Sequence, residues 1–179
     1  GAQRGNFGKM DRFTVPLRKR YGEPKSLFDM SRMSAAAVYE AHRAMFDAYT
    51  RNRYVSTGVI QWMQNNAWPS MIWHLYDYYL TPDAAYFATK RSCEPIHVLY
   101  GYDDDCAHVS NSYYETFQPA GGITITGRIV GLDGKILFSK SVSLSGLEAD
   151  STVRVFQLPK NLTKGVYFVR LDGTTTSSG

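Results

Sequence analysis

Apolar positions change their spacing along this chain, and each change predicts a new element. Over Ser26–Arg53 they recur every three to four residues. Leu27, Met30, Ala37, Ala41, Ala44, Met45 and Ala48 share one face, while Glu40, Arg43, Asp47 and Arg51 take the other. This spacing predicts an amphipathic helix, with Ser26 as N-cap, Asp29 three residues on, and a possible interruption near Ser31–Ser34. Thr57–Gln64 (TGVIQWMQ) is apolar on both faces, at Val59, Ile60, Trp62 and Met63. That predicts a strand covered on both sides, the kind found in parallel sheets. Residues 70–80 are densely aromatic. Thr81 and Pro82 then predict a short helix to about Ser92, with Thr81 as cap and Pro82 at the first helical position. Residues 1–25, punctuated by Gly1, Gly5, Gly8, Pro16, Gly22 and Pro24, predict irregular chain.

After Glu94–Pro95 the texture becomes β. Ile96–Tyr102, Cys106–Tyr113, Ile123–Val130, Lys135–Leu144, Thr152–Leu158 and Gly165–Leu171 read as strands. Turn signals separate them at Asp103–Asp105, Gly121–Gly122, Asp133–Gly134, Ser145–Gly146 and Pro159–Lys160, with Leu132-Asp133-Gly134-Lys135 a hairpin signal. Short strands at this density predict a β-sandwich of immunoglobulin type, without the Cys–Trp–Cys core of antibody domains. The last residues, TTTSSG, are expected to fray. The chain therefore divides into residues 1–93 and 94–179. The first part supplies one buried strand, which cannot make a sheet, and a whole (β/α)8 barrel takes about 250 residues. Residues 1–93 are expected to belong to a larger sheet.

Composition narrows the function classes. Hydrophobic residues are 44% of 179, enough for a packed core and too many for wholesale disorder. Net charge is +4 and the basic residues are dispersed. Arg18–Lys19–Arg20 is expected to be a solvated turn, and no nucleic-acid partner is expected. No run of about 18 apolar residues is present, so no membrane partner is expected. No signal peptide is visible, which says little of an internal or C-terminal piece. Cys93 and Cys106, with His97 and His108 nearby, lack the spacing of a zinc site, so the thiols are either free or paired with each other. Asp103–Asp104–Asp105 lacks the fuller spacing of a calcium loop and is expected to be a solvated turn. No metal or cofactor is expected.

One resemblance is long and contiguous. TGVIQWMQNNAWPSMIWHLYDYYL (Thr57–Leu80) resembles the closing strand of the catalytic barrel in family 2 glycoside hydrolases, most of all the exo-β-D-glucosaminidases and next the β-mannosidases. RYGEPKSL (Arg20–Leu27) and YEAHRAMFDAYTRNRY (Tyr39–Tyr54) resemble the helix before that strand. YFATKRSCEPIHVLYGYDDD (Tyr86–Asp105) resembles the exit into the next domain, and the whole likeness runs over roughly residues 10–172. It implies an α+β composite: the end of a (β/α)8 barrel (helix, last strand, short helix) followed by an immunoglobulin-like antiparallel β-sandwich. It also implies an exo-acting retaining hydrolase of β-linked glucosamine or mannose, secreted or periplasmic. Its two catalytic carboxylates, about 5–5.5 Å apart, would lie upstream of this chain.

The resemblance thus implies no catalytic residue here. Asp77 is expected to anchor a loop and Glu94 to sit at a domain junction. What remains for this segment is substrate positioning. Gln61, Asn65 and Asn66 offer amides to sugar hydroxyls, and Trp62 and Trp68 offer flat faces to the C–H side of a ring. In a regular strand Gln61 and Asn65 share one face and Trp62 and Asn66 the other. Asn65, Asn66 and Trp68 are favoured because they lie at the strand's C-terminal end. Asn65–Pro69 departs from the Asn-Asp-Cys-Trp-Pro type associated with β-mannosidases, which tilts the reading to glucosaminidase. The implied partners are a β-linked oligosaccharide and the rest of the parent's barrel. Two other readings stand beside this: a bracing spacer, and an autonomous glycan- or protein-binding sandwich. The sequon Asn161-Leu162-Thr163 fits a secreted context. An exposed aromatic platform drawn from Tyr113, Tyr114, Phe117, Phe138, Phe156, Tyr167 and Phe168 would favour the binding module.

Overall fold

A computed structural model describes residues 9–70, 74–160, 162 and 165–175. Asn161 and Thr163 of the sequon and the last four residues lie outside them. The chain forms two compact units, Gly1–Met45 with Val59–Arg91 and Phe46–Gly58 with Ser92–Gly179.

The first unit opens with helix α1, Asp11–Tyr21, where irregular chain was expected. Pro16 and Gly22 suggested loop, but Phe13, Leu17 and Tyr21 recur every four residues, and that period prevails. Asp11 in the first turn and Arg18, Lys19 and Arg20 in the last complement the helix dipole. Those three basic residues are therefore helical rather than a turn. Gly22, at φ 87°, ends the helix and its amide donates to the Arg18 carbonyl at 2.8 Å. Leu17 is buried, and the Tyr21 hydroxyl donates to Glu40 at 3.3 Å.

Helix α2, Leu27–Arg51, is unbroken. Ser26 caps it as expected: its Oγ accepts from the Asp29 amide at 3.0 Å, while Asp29 accepts from the Lys25 amide at 3.2 Å. Three positions depart from the amphipathic reading, one of them Ala41, which is exposed. Leu27 is 87% exposed, and Asp47, expected on the polar face, is 2% exposed.

No strand forms over Thr57–Gln64. A parallel strand places its hydrogen bonds on neighbouring strands, and no described strand lies beside this one. Ile60 and Trp62, expected to be covered, are 95% and 71% exposed. Pairing begins only at its end: the Gln64 carbonyl accepts from the Leu75 and Tyr76 amides, and Asn65 makes a parallel bridge to Tyr76. Helix α3, Ala84–Ser92, starts later than expected because Asp83, not Thr81, is the cap, accepting from the Tyr86 amide at 3.1 Å.

The second unit holds six strands: β1 Ile96–Gly101, β2 Cys106–Asn111, β3 Ile123–Gly131, β4 Ile136–Leu144, β5 Ser151–Gln157 and β6 Tyr167–Thr175. Each overlaps a stretch that reads as a strand, though β6 begins two residues later and runs four residues further than Gly165–Leu171. Thr174 and Thr175, expected to fray, belong to β6. Two antiparallel sheets result, ordered β1-β2-β5 and β4-β3-β6. Gly134, at φ 80°, closes the β3–β4 hairpin, where the Gly131 amide donates to the Lys135 carbonyl. Both sheets share one apolar core: Ala107, Val109 and Phe156 from the first, Ile123, Ile125 and Ile129 from the second, with Leu147 and Leu158. Burying each large aliphatic side chain contributes about 1.5–3 kcal/mol. Gly127 breaks the run of isoleucines for room, since a Cβ there would lie 2.9 Å from the Phe156 ring.

Strand β2 is buried along its whole length. Ala107 and Val109 face the shared core; the other face is covered by the last turn of α2 and the chain after it. His97 Nε2 donates to Asp47 at 2.9 Å, the Thr152 hydroxyl donates to the Thr50 carbonyl, and Arg53 binds the Asn111 carbonyl, Ser112 and Asp150. This contact explains the burial of Asp47.

Candidate functional site

The five candidates fall in very different surroundings. Trp62 and Trp68 are exposed, at 71% and 61%, and Asn65 is exposed with its backbone held in the bridge to Tyr76. Gln61 is half-buried and Asn66 is 5% exposed. The Trp62–Met63 peptide is cis. The burial of these five residues does not follow the alternation of faces expected of a strand. Asn65 and Asn66 sit where the segment gains backbone partners, Trp62 lies before that point and Trp68 beyond it.

Asn66 is oriented by a histidine that the sequence reading missed. Its amide nitrogen donates to His74 Nδ1, which places the ring proton on Nε2. That nitrogen lies 3.6 Å from an Asp83 carboxylate oxygen, and Asp83 is also the cap of α3. Asn66, His74 and Asp83 thus make a polar chain. The only sequence signal for it was a lone His in an aromatic run. The next turn is held as expected: Asp77 Oδ1 accepts from the Thr81 amide at 2.8 Å. Behind it the Tyr76 and Tyr86 rings meet at 4.9 Å, and the hydrogen bond that the Tyr76 phenol makes to Tyr86, with burial, pushes it above its ordinary value. One Asn66 amide hydrogen is thereby committed to His74.

In the second unit the acidic run is not merely solvated. It forms the turn between β1 and β2, but its carboxylates are engaged. Arg51 binds Asp103 at 2.7 Å and Asp104 at 3.5 Å, His108 Nε2 lies 3.0 Å from Asp104, and the Tyr100 hydroxyl donates to Asp105 at 2.8 Å. Arg51 holds the Asp103 carboxyl below the usual carboxylate range. Burial works the other way on Asp104, but the Cys106 amide, His108 and Arg51 outweigh it and its pKa is also lowered. Cys93 and Cys106 are free thiols, Cys106 buried with Arg154 Nε donating to its sulfur at 3.1 Å. Of the aromatic candidates for a platform, Phe156 is buried and Phe117, Phe138 and Tyr167 pack on the core. Tyr113, Tyr114 and Phe168 are exposed.

No family model matches the sequence. The exo-β-D-glucosaminidase of Streptomyces avermitilis is 36% identical over 174 residues, which is 92% of this chain and 19% of that protein. The exo-β-D-glucosaminidase of Hypocrea jecorina is 37% identical over 162 residues, 87% of this chain and 18% of that one. The β-mannosidase B of Thermothelomyces thermophilus is 42% identical over 41 residues, 23% of this chain and 5% of its own. The crystal structure of the Amycolatopsis orientalis exo-chitosanase CsxA matches 96% of this chain, at TM-score 0.86 and 30% identity, over 21% of its own length. A β-D-mannosidase from Dictyoglomus thermophilum matches the fold at TM-score 0.71 and 18% identity. The chain thus spans about a fifth of the length of the exo-β-D-glucosaminidases it matches. Nearly the whole of this α+β chain, with its antiparallel sheets, is homologous to one stretch of the exo-β-D-glucosaminidases, which are glycoside hydrolases, and more distantly to the β-mannosidases.

Proposed function

We propose that this chain is part of an exo-acting, retaining glycoside hydrolase of family 2 that removes β-linked glucosamine residues from glycans outside the cytoplasm. Residues 1–93 supply the last helix and closing strand of its (β/α)8 barrel, and residues 94–179 an immunoglobulin-like sandwich that braces it. The catalytic carboxylates come from earlier barrel strands. Asn65, Asn66 and Trp68 position the sugar, with Gln61 and Trp62 beside them.

One observation supports this reading: in the part of the chain that we assign to the barrel end, large apolar side chains lie uncovered. Ile60, Trp62 and Trp68 are exposed, as are Leu27, Phe28 and Tyr79. Neighbouring barrel strands would cover such a segment and give Thr57–Gln64 the ladder it lacks. The Asn66–His74–Asp83 chain holds a polar side chain of that segment in a fixed orientation.

The test is hydrolysis of chromogenic β-glucosaminide and β-mannoside. We expect none from the 179-residue chain and glucosaminide-preferring activity from a protein extended upstream through a whole barrel. In that longer protein Asn66→Ala should cost about tenfold or more in kcat/KM, the loss of one polar contact to the sugar. Activity of the short chain by itself would overturn the reading, and Asp77 and Glu94 would then be tested first.

A further inference from the structure

The second unit carries a loop built to present aromatic rings, between β2 and β3. Its backbone is fixed from beneath. Asn111, fully buried, donates through the two hydrogens of Nδ2 to the carbonyls of Glu115 at 2.9 Å and Glu148 at 3.0 Å, with that of Leu147 sharing one at 3.3 Å, and its Oδ1 accepts from the Tyr113 amide at 2.9 Å. The Tyr113 carbonyl accepts from the Asp150 amide, the Ser112 amide donates to the Pro95 carbonyl, and Phe117 and Leu147 exchange two backbone bonds, each at 2.8 Å. On this rigid frame Tyr114 is 93% exposed and Tyr113 50%. With Glu115, Thr116 and Phe117 they line an open concavity of about 450 Å³.

We infer that the loop Ser112–Phe117 binds a cationic oligosaccharide of β-linked glucosamine. Two phenols lining one concavity, on a backbone already held by hydrogen bonds, offer stacking to pyranose C–H surfaces with little entropy left to lose. Charge selects among flat ligands. Glu115 and Glu148 are exposed and have no ion-pair partner among the described residues, whereas Asp150 is neutralised by Arg53. An unbalanced carboxylate beside the rings attracts an ammonium group and repels the phosphates of a nucleic acid. The choice of an amino sugar as the cation rests on the function proposed above.

The test is an amide-resolved NMR titration of the full 179-residue chain with three hexamers: of glucosamine, of N-acetylglucosamine, and of glucose. The glucosamine hexamer should shift the amides of Ser112–Phe117, and the two uncharged hexamers should bind at least about tenfold more weakly. Tyr114→Ala should weaken the glucosamine hexamer about tenfold, and Glu115→Gln should remove the preference for the charged sugar; both positions are exposed, so the fold should persist. Equal binding of the three sugars, shifts confined to Gln61–Trp68, or unchanged affinity in both variants would each overturn the inference. So would no binding at all, which leaves the proposed hydrolase untouched because that stands on hydrolysis by the longer protein. Conversely, loop binding without hydrolysis by the longer protein would sustain this inference and remove the other.

Discussion

The second unit keeps Leu99, Ile125, Ile129, Leu147 and Leu158 at or below 1% exposure, whereas the first buries Leu17 and two alanines, Ala85 and Ala88, as its described apolar core. Both units are rich in large apolar residues, so composition does not separate them. The difference is closure. The described strands pair into two sheets, and their inner faces bury one another's apolar side chains. In the first unit Ile60, Trp62, Trp68 and Tyr79 have the right chemistry for a core and nothing described to pack on. Secondary structure that can satisfy its own hydrogen bonds, such as α1 and α2, forms there regardless; a strand that depends on neighbours does not.

Hydrogen exchange should break this comparison if it is wrong, and shows its largest effect. Amides of β2 and β3 should open only with global unfolding of their unit, about 5 kcal/mol or more, while residues 59–70 should open at near zero cost. That is a protection gap of over roughly a thousandfold. Equal protection would end the contrast, and in the upstream-extended protein the gap should narrow.

Paired substitutions sharpen it. Ile125→Ala should destabilise the second unit by about 2–5 kcal/mol through a cavity. Ile60→Ala should change stability in this chain by about 0.5 kcal/mol or less. Denaturant midpoints read both, and a costly Ile60→Ala would mean that the segment is already packed. Next in size is His97→Ala, which leaves the buried Asp47 carboxylate without its imidazole and should cost about 3 kcal/mol. A neutral result in thermal unfolding would remove α2's last turn from the cover of β1.

The smallest effect is acid sensitivity. Burial holds the His108 pKa below its ordinary value, against the pull of Asp104 and with a further push from Arg51 and Arg154. A depressed folded value stabilises above the unfolded value, about 6.5, and that contribution is lost as pH falls toward the folded one. Asp104, also depressed, stabilises above about 3.9 and loses its contribution only below that, so the two windows are separate. Melting scans of the second unit should therefore fall slightly from pH 7 to pH 5, and His108→Gln should flatten that fall. An unchanged slope would show that His108 titrates alike folded and unfolded.

The strands were legible because each carries its own alternation: Ile123, Ile125 and Ile129 point inward in the sequence as in the fold. Ser26 and Asp29 announced the start of α2 for the same reason, since a cap acts within four residues. Helix α1 was obscured by Pro16, although the period Phe13–Leu17–Tyr21 was there to read. The α3 cap was misplaced because Thr81-Pro82 and Asp83 are both plausible starts, and only Asp83 reaches the Tyr86 amide. Of the candidate site, the sequence named Asn65 and Asn66 but not His74 or Asp83, whose roles depend on where a loop folds back.

The sequence by itself determined the six strands, the long helix and the kinship with exo-β-D-glucosaminidases, because period, capping and residue identity are written locally. Tertiary structure alone decided that Asp47 is buried against His97, that Arg51 neutralises the acidic turn, and that Asn66 is oriented by His74. It also decided which of the tyrosines and phenylalanines fill the core and which, at Tyr113 and Tyr114, face solvent. The pairings of Asp47 and Arg51 join residues far apart in the chain and that of Asn66 depends on a loop folding back; such contacts are set by packing, which no local spacing records.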